Sequence, residues 1–314
     1  MLVATVALFV ASWLFAPTSL SRGVLLTMLP FAAALAVAAL GQTFVVMQGG
    51  IDLSIAGGLS LYVVILTHYP NGVNSRLLPA IGIAFLAAAA VGFVNGFLIG
   101  RMRLNPIVAT LGTNALLYGA VFWYSGGIPR TTTARLARVG GGLLLGIPTP
   151  VYVAVIATAL VTVVVKLTPA GRRFEGVGAN GTAAQTAGIR VRRHRTAAYV
   201  WAQILYCLAA VLHAGIVNQP TAHEGDNYLL PSVAAVVLGG TSLLGGRGNL
   251  VATAVAALFL SQLDQFVLGL GVAYATRTLV QAVALAVGVA LYTIDWGALG
   301  RRLSALRPGD VAPT

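Results

Sequence analysis

Long apolar runs, each closed by a short polar or basic cluster, organise this chain from end to end. The runs fall at 1–16, 24–47, 53–67, 79–100, 106–124, 151–167, 196–217, 228–244, 250–270 and 278–292. Most approach the ~17–25 residues that a helix needs to cross a bilayer. They predict an all-α polytopic membrane protein of about ten spans. Met1–Ala16 carries no basic leader, so it reads as a first span and not as a signal peptide. Pro and Gly mark the loop at 68–72, and a polar stretch with Arg130, Arg135 and Arg138 separates spans five and six. The longest polar stretch, 168–195, cannot span and must face water or a partner.

One stretch departs from the apolar pattern. In GQTFVVMQGGIDLSIAGG, from Gly41 to Gly58, a carboxylate and two glycine pairs sit inside an apolar region. An Asp at the centre of a bilayer helix costs about 2.5–3.5 kcal/mol, so it usually faces a protein interior or a water path. Gly49 and Gly50 weaken the helix and free backbone groups, which a bilayer tolerates only where protein or a cavity satisfies them. Two readings stay open: a functional break within the membrane, or a tight turn between spans. On the turn reading, Asp52 caps the start of span three together with Ser54, near the cytoplasmic end, and the stretch acts as a hinge. Gly239 and Gly240 in VVLGGTSLLGGRG form a similar break. The two segments are either an internal repeat or a chance likeness of glycine-rich apolar sequence.

Composition agrees with a membrane chain of 314 residues, 58% of them hydrophobic and 8% charged, with mean hydropathy +0.89. The net charge of +12 does not point to nucleic acid, because the basic residues lie in clusters between apolar runs. With ten spans and cytoplasmic termini, 13 of the 19 basic residues fall on the cytoplasmic side. The positive-inside rule favours that orientation.

Several chemistries lack their residues. The single lysine, Lys166, does not follow a glycine-rich loop, which excludes a P-loop ATPase. The four histidines are scattered and the single cysteine, Cys207, lies in an apolar run, so no metal site is expected. No nucleophile–base pair or carboxylate pair is apparent, so no catalytic residue is named and the chain is not expected to be an enzyme. A stand-alone ion-coupled carrier remains as an alternative: Asp52 would serve the ion, but the basic segment at 168–195 would go unexplained. That segment is rich in small residues, which suits close docking into a partner; a flexible loop whose arginines anchor topology is the other reading.

Four blocks carry a family resemblance: GQTFVVMQGGIDLSIAGG, NGFLIGRMRLNPIVATLGTNALLYG at 95–119, GRRFEGVGANGTAAQTAGIRV at 171–191 and YLLPSVAAVVLGGTSLLGGRGNL at 228–250. In this order they resemble the permease subunits of ribose-type ABC sugar importers. The resemblance implies one transmembrane permease domain over 1–314 with a cytoplasmic coupling segment at 168–195. It also implies a bacterial inner-membrane location and a second permease copy or paralogue. The other implied partners are a substrate-binding protein and separate cytoplasmic ATPase subunits, which would hold the ATP and magnesium. Carried over by position, ATPase coupling falls on Gly171, Arg172, Gly178, Asn180, Ala183, Ala184 and Gly188. Ala179 and Thr182 depart from the family's usual residues, as does Pro231 at the entry to span eight. For a neutral sugar, Gln42, Thr43, Asn95 and Asn114 offer uncharged hydrogen-bonding groups along a pathway. Gly49, Gly50, Asp52, Ser54, Gly239 and Gly240 are the expected hinge and turn positions.

Overall fold

The computed structural model describes residues 1–271 and the isolated helical positions 279 and 283. The tenth expected span lies outside the described residues apart from those two positions. Twelve helices occupy the described part: α1 Leu2–Phe15, α2 Arg22–Val46, α3 Ile55–His68, α4 Leu77–Gly100, α5 Pro106–Ser125, α6 Ala134–Gly141, α7 Thr149–Leu167, α8 Pro169–Ala179, α9 Gly181–Thr186, α10 Val191–Ile216, α11 Asp226–Leu238 and α12 Leu250–Gly269. A two-residue hairpin pairs β1, Leu143–Leu144, with β2, Ile147–Pro148. The architecture is the helical polytopic membrane fold expected, since only helices or closed barrels satisfy their backbone in lipid.

Helices α2, α4, α5, α7, α10 and α12 are long and apolar enough to cross a membrane, whereas α1, α3 and α11 are shorter apolar helices of 13 or 14 residues. A 14-residue helix is about 21 Å long, short of the ~30 Å hydrocarbon core. Helices α3 and α11 therefore start or stop inside the bundle, and both do so at a glycine break. Span eight ends at Leu238 and not at residue 244, because Gly239 and Gly240 interrupt the helix. Span seven begins five residues earlier than expected, at Val191, because arginine is a good helix former and extends α10 into the basic cluster. The polar stretch between spans five and six contains α6 and the hairpin.

Helix α2 is the axis of the bundle. From Ala32 to Met47 it is buried on every side, as an all-round apolar helix requires. It packs against α7, α10, α11 and α12. Helix α10 also lies along α4, where Gly92, Gly96 and Gly100 recur at every fourth position. A β-carbon at Gly92 would fall 2.6 Å from Val200 Cα, and one at Gly96 would fall 2.7 Å from Thr196 Cα. Small residues at this spacing let membrane helices approach backbone to backbone. The Thr196 hydroxyl adds a 2.9 Å hydrogen bond to the Gly96 carbonyl.

Candidate functional site

Helix α2 stops at Val46 with Gly49 in the left-handed region (φ 75°), and α3 starts only at Ile55. The residues between are largely buried, so their backbone groups need partners other than water. Side chains from neighbouring helices supply them, and also serve the free N–H groups in the first turn of α3. The Leu53 N–H donates to Thr110 Oγ1 at 3.0 Å and the Gly57 N–H to Asn114 Oδ1 at 2.7 Å, both acceptors lying one turn apart on α5. Gln42 on α2 brackets Asp52 from the other side. With its amide turned so that both ends are satisfied, its oxygen accepts from the Asp52 N–H at 3.1 Å. Its nitrogen then donates to the Asp52 carbonyl at 3.3 Å and to Tyr206 Oη at 2.6 Å. The primary amide thus takes the place of a neighbouring peptide.

The Asp52 side chain is fully buried. Its Oδ1 accepts from the Ser54 N–H (2.9 Å) and the Ser54 hydroxyl (2.5 Å), while Oδ2 accepts from Gln203 Nε2 on α10 at 3.2 Å. Among the described residues no ion pair reaches it. The carboxylate bonds onto Ser54 two residues on, but the expected cap on span three is not made by Ser54, which has no side-chain cap bond to α3. Its hydroxyl instead accepts from Asn95 Nδ2 and Gln203 Nε2, each at 2.8 Å. Asn95 Oδ1 in turn accepts from Thr113 Oγ1 (2.6 Å), and Gln203 Oε1 accepts from Tyr62 Oη (2.6 Å). One connected polar cluster therefore ties the break to α3, α4, α5 and α10. Such a network specifies a unique arrangement only when every member is satisfied.

Of the pathway residues named from the sequence, Gln42, Asn95 and Asn114 belong to this framework. Thr43 is buried and donates back along α2 to the Ala39 carbonyl at 2.8 Å. Gln203, Thr110, Thr113, Tyr62 and Tyr206 were not singled out from sequence. A lone amide in the largely apolar run 196–217 was the available signal for Gln203.

The second break, between α11 and α12, meets the first. The Gly246 N–H donates to the Met47 carbonyl at 2.9 Å. Gly239 is packed so tightly on the start of α12 that a β-carbon would fall 2.6 Å from Thr253 Oγ1. Gly240 follows it, with its N–H bonded to the Val237 carbonyl at 2.9 Å. Helix α8 closes over both breaks. Gln48 Nε2 donates to the Phe174 carbonyl at 2.9 Å, the Phe44 and Phe174 rings meet edge to face, and a β-carbon at Gly178 would fall 1.9 Å from the Met47 carbonyl oxygen.

The expected coupling residues divide into two sets. Gly171, Gly178 and Ala184 turn toward the protein; Gly171, for instance, lies against the Val165 carbonyl. Arg172, Asn180, Ala183 and Gly188 are exposed. Thr168 and Asn180 cap α8 and α9 through the Gly171 and Ala183 N–H groups.

At the other end of the bundle, His213 Nε2 lies 2.7 Å from Glu224 Oε2, and His213 Nδ1 lies 2.8 Å from Tyr228 Oη. Burial would raise the Glu224 pKa. Hydrogen bonds from His213 and from the Thr221 N–H and hydroxyl, with the attraction of His213, instead hold it down at about 2.

A family model described as the branched-chain amino acid transport system / permease component matches residues 24–291. The chain is 36% identical over 259 residues to the ribose import permease protein of Bacillus subtilis (strain 168), covering 81% of this chain and 79% of that protein. It is 33% identical over 261 residues to the ribose import permease protein of Escherichia coli (strain K12), covering 81% and 80%. With the galactofuranose transporter permease protein of the same strain it shares 32% identity over 259 residues, covering 81% and 75%. No solved structure matches the chain.

Proposed function

The chain belongs to the branched-chain amino acid transport system / permease component family, and from its similarity to the ribose and galactofuranose permeases within their shared length we propose that it is the membrane subunit of an ABC importer that carries a sugar inward. A binding protein delivers the sugar, and separate ATPase chains holding ATP and magnesium drive the cycle. A second permease copy or a paralogue completes the pathway. The α8 side is cytoplasmic, as the basic clusters favour, and both termini lie there.

The observation that carries this reading is the seat of α8 on both helix breaks. A short polar helix outside the bundle bears on Met47 and Gln48, so a pull on its exposed residues reaches the turn that holds Asp52. The break is bonded by neutral amides and hydroxyls, apart from one carboxylate. Such groups exchange a protein partner for a sugar hydroxyl without moving charge. Gln42, Asn95 and Asn114 are the pathway groups released when the break opens, and Thr43 flanks them. Gly49, Gly50, Gly239 and Gly240 are the points at which α2 and α11 flex.

The test is co-purification of an ATPase whose hydrolysis is stimulated by the cognate binding protein, across a panel of pentoses, hexoses and nucleosides. Stimulation by one of the sugars supports the proposal. Purification of the chain without any ATPase, under conditions that preserve known importer complexes, counts against it.

A further inference from the structure

Helices α4 and α10 leave an open groove of about 580 Å³ on the outside of the bundle, beside their glycine-packed seam. Its walls come from one face of each helix: Phe93, Phe97 and Arg101 on α4 and the helix cap that follows it, and Arg192, Arg193 and Trp201 on α10. The three α4 positions rise about 12 Å along the helix, so the groove is apolar and aromatic along its length and cationic at one end. That end is the α8 side.

Two of the three cations sit where a helix disfavours them, while Arg101 caps the C-terminus of α4. Arg192 and Arg193 lie in the first turn of α10, which has no acidic residue. The positive end of the helix dipole adds to their charge where it would favour an anion. Among the described residues none of the three arginines forms an ion pair.

We propose that this groove binds an anionic phospholipid of the leaflet on the α8 side, with its phosphate held by Arg101, Arg192 and Arg193 and an acyl chain lying along Phe93, Phe97 and Trp201. A basic pocket between transmembrane helices above an apolar, aromatic-lined channel matches such a lipid in both halves. A second copy of the chain packed symmetrically here would bring arginines against arginines. The residues beyond 271 carry four arginines and two aspartates, so they bring no net negative charge to the site.

The experiment measures thermal unfolding of the full chain in neutral detergent as lipid is added. The lipids are phosphatidylglycerol and phosphatidylcholine of identical acyl chains, and inorganic phosphate is a third arm. Phosphatidylglycerol alone raises the midpoint, and R101Q and R192Q each raise the lipid concentration required by about fivefold. Arg101→Lys keeps the wild-type response, as does R135Q, which lies outside the groove. Equal shifts from the two lipids overturn the proposal, as does a full shift from phosphate alone. So does a normal lipid response in R101Q and R192Q accompanied by loss of ATPase co-purification, which would assign the arginines to a protein partner. Native mass spectrometry of retained lipid gives the same comparison for any variant whose unfolding is altered.

Discussion

Gly178 of α8 and Met47 at the end of α2 meet so closely that a β-carbon at position 178 would fall 1.9 Å from the Met47 carbonyl oxygen. The same carbonyl accepts the Gly246 N–H of the second break. One backbone oxygen therefore lies at the junction of α8 and both interruptions in the bundle.

Gly178→Ala must push α8 off this seat. Overpacking a close contact typically costs about 1–3 kcal/mol. The expected result is a lower unfolding midpoint together with uptake that falls further than ATP hydrolysis does. Gly176 is exposed with open space beside it, so Gly176→Ala is the matched control and should change neither. Equal behaviour of the two variants would show that the seat carries no coupling.

The bond between Asp52 and Gln203 makes a second prediction. Asp52→Asn keeps an acceptor for Ser54 but turns a donor toward Gln203 Nε2, and a buried donor without an acceptor costs about 1–3 kcal/mol. Gln203→Glu in the same chain returns an acceptor to that position. The double variant should recover at least half of the stability and uptake lost in Asp52→Asn. Additive losses, measured as a double-mutant cycle, would mean that the two side chains do not act as a pair.

The exposed half of the α8–α9 segment gives a third. Ala183→Arg places a bulky cation on the water-facing side of α9 and should weaken ATPase co-purification while leaving the unfolding free energy within about 0.5 kcal/mol of wild type. Ala184, one residue on, is buried, so Ala184→Arg should lower the midpoint itself. Loss of fold in both variants, or of neither property in either, would contradict the division of this segment into an inner and an outer face.

Glu224 makes a prediction about pH. Its carboxyl titrates near 2 in the folded chain against an ordinary 4.5, so the folded state holds it ionised. The stability that it contributes is fully present above pH 4.5 and is lost as the pH falls toward 2. Glu224→Gln should therefore lower the unfolding midpoint at pH 7, and the gap from wild type should narrow below pH 4.5. A gap that stays constant down to the lowest pH at which the protein remains folded would remove the carboxylate from this account.

Much of the fold was legible because hydropathy reports burial in lipid directly. Nine of the ten expected spans coincide with helices among the described residues, and the two breaks were marked by Gly49-Gly50 and Gly239-Gly240. The partners of the breaks were harder to see. Thr110 and Asn114 lie about 57 residues from the N–H groups that they satisfy, and Gln203 lies 151 residues from Asp52. Local pattern holds no record of such pairings. The enclosure of Asp52 was hidden for a related reason: topology counting places it toward the cytoplasmic end of spans two and three, and only the packed structure surrounds it fully with protein and sets Gln203 of α10 against its carboxylate. The meeting of α8 with Met47 depends on the absence of a side chain at Gly178, and a glycine in a small-residue segment does not announce which neighbour needs the space.

Uptake into proteoliposomes tests the central claim most directly. The account predicts that labelled sugar accumulates only when this chain is reconstituted with its ATPase, its binding protein and ATP, and that a proton gradient without ATP drives none. Accumulation by this chain alone, driven by a proton gradient, would contradict the importer reading and make the chain an ion-coupled carrier.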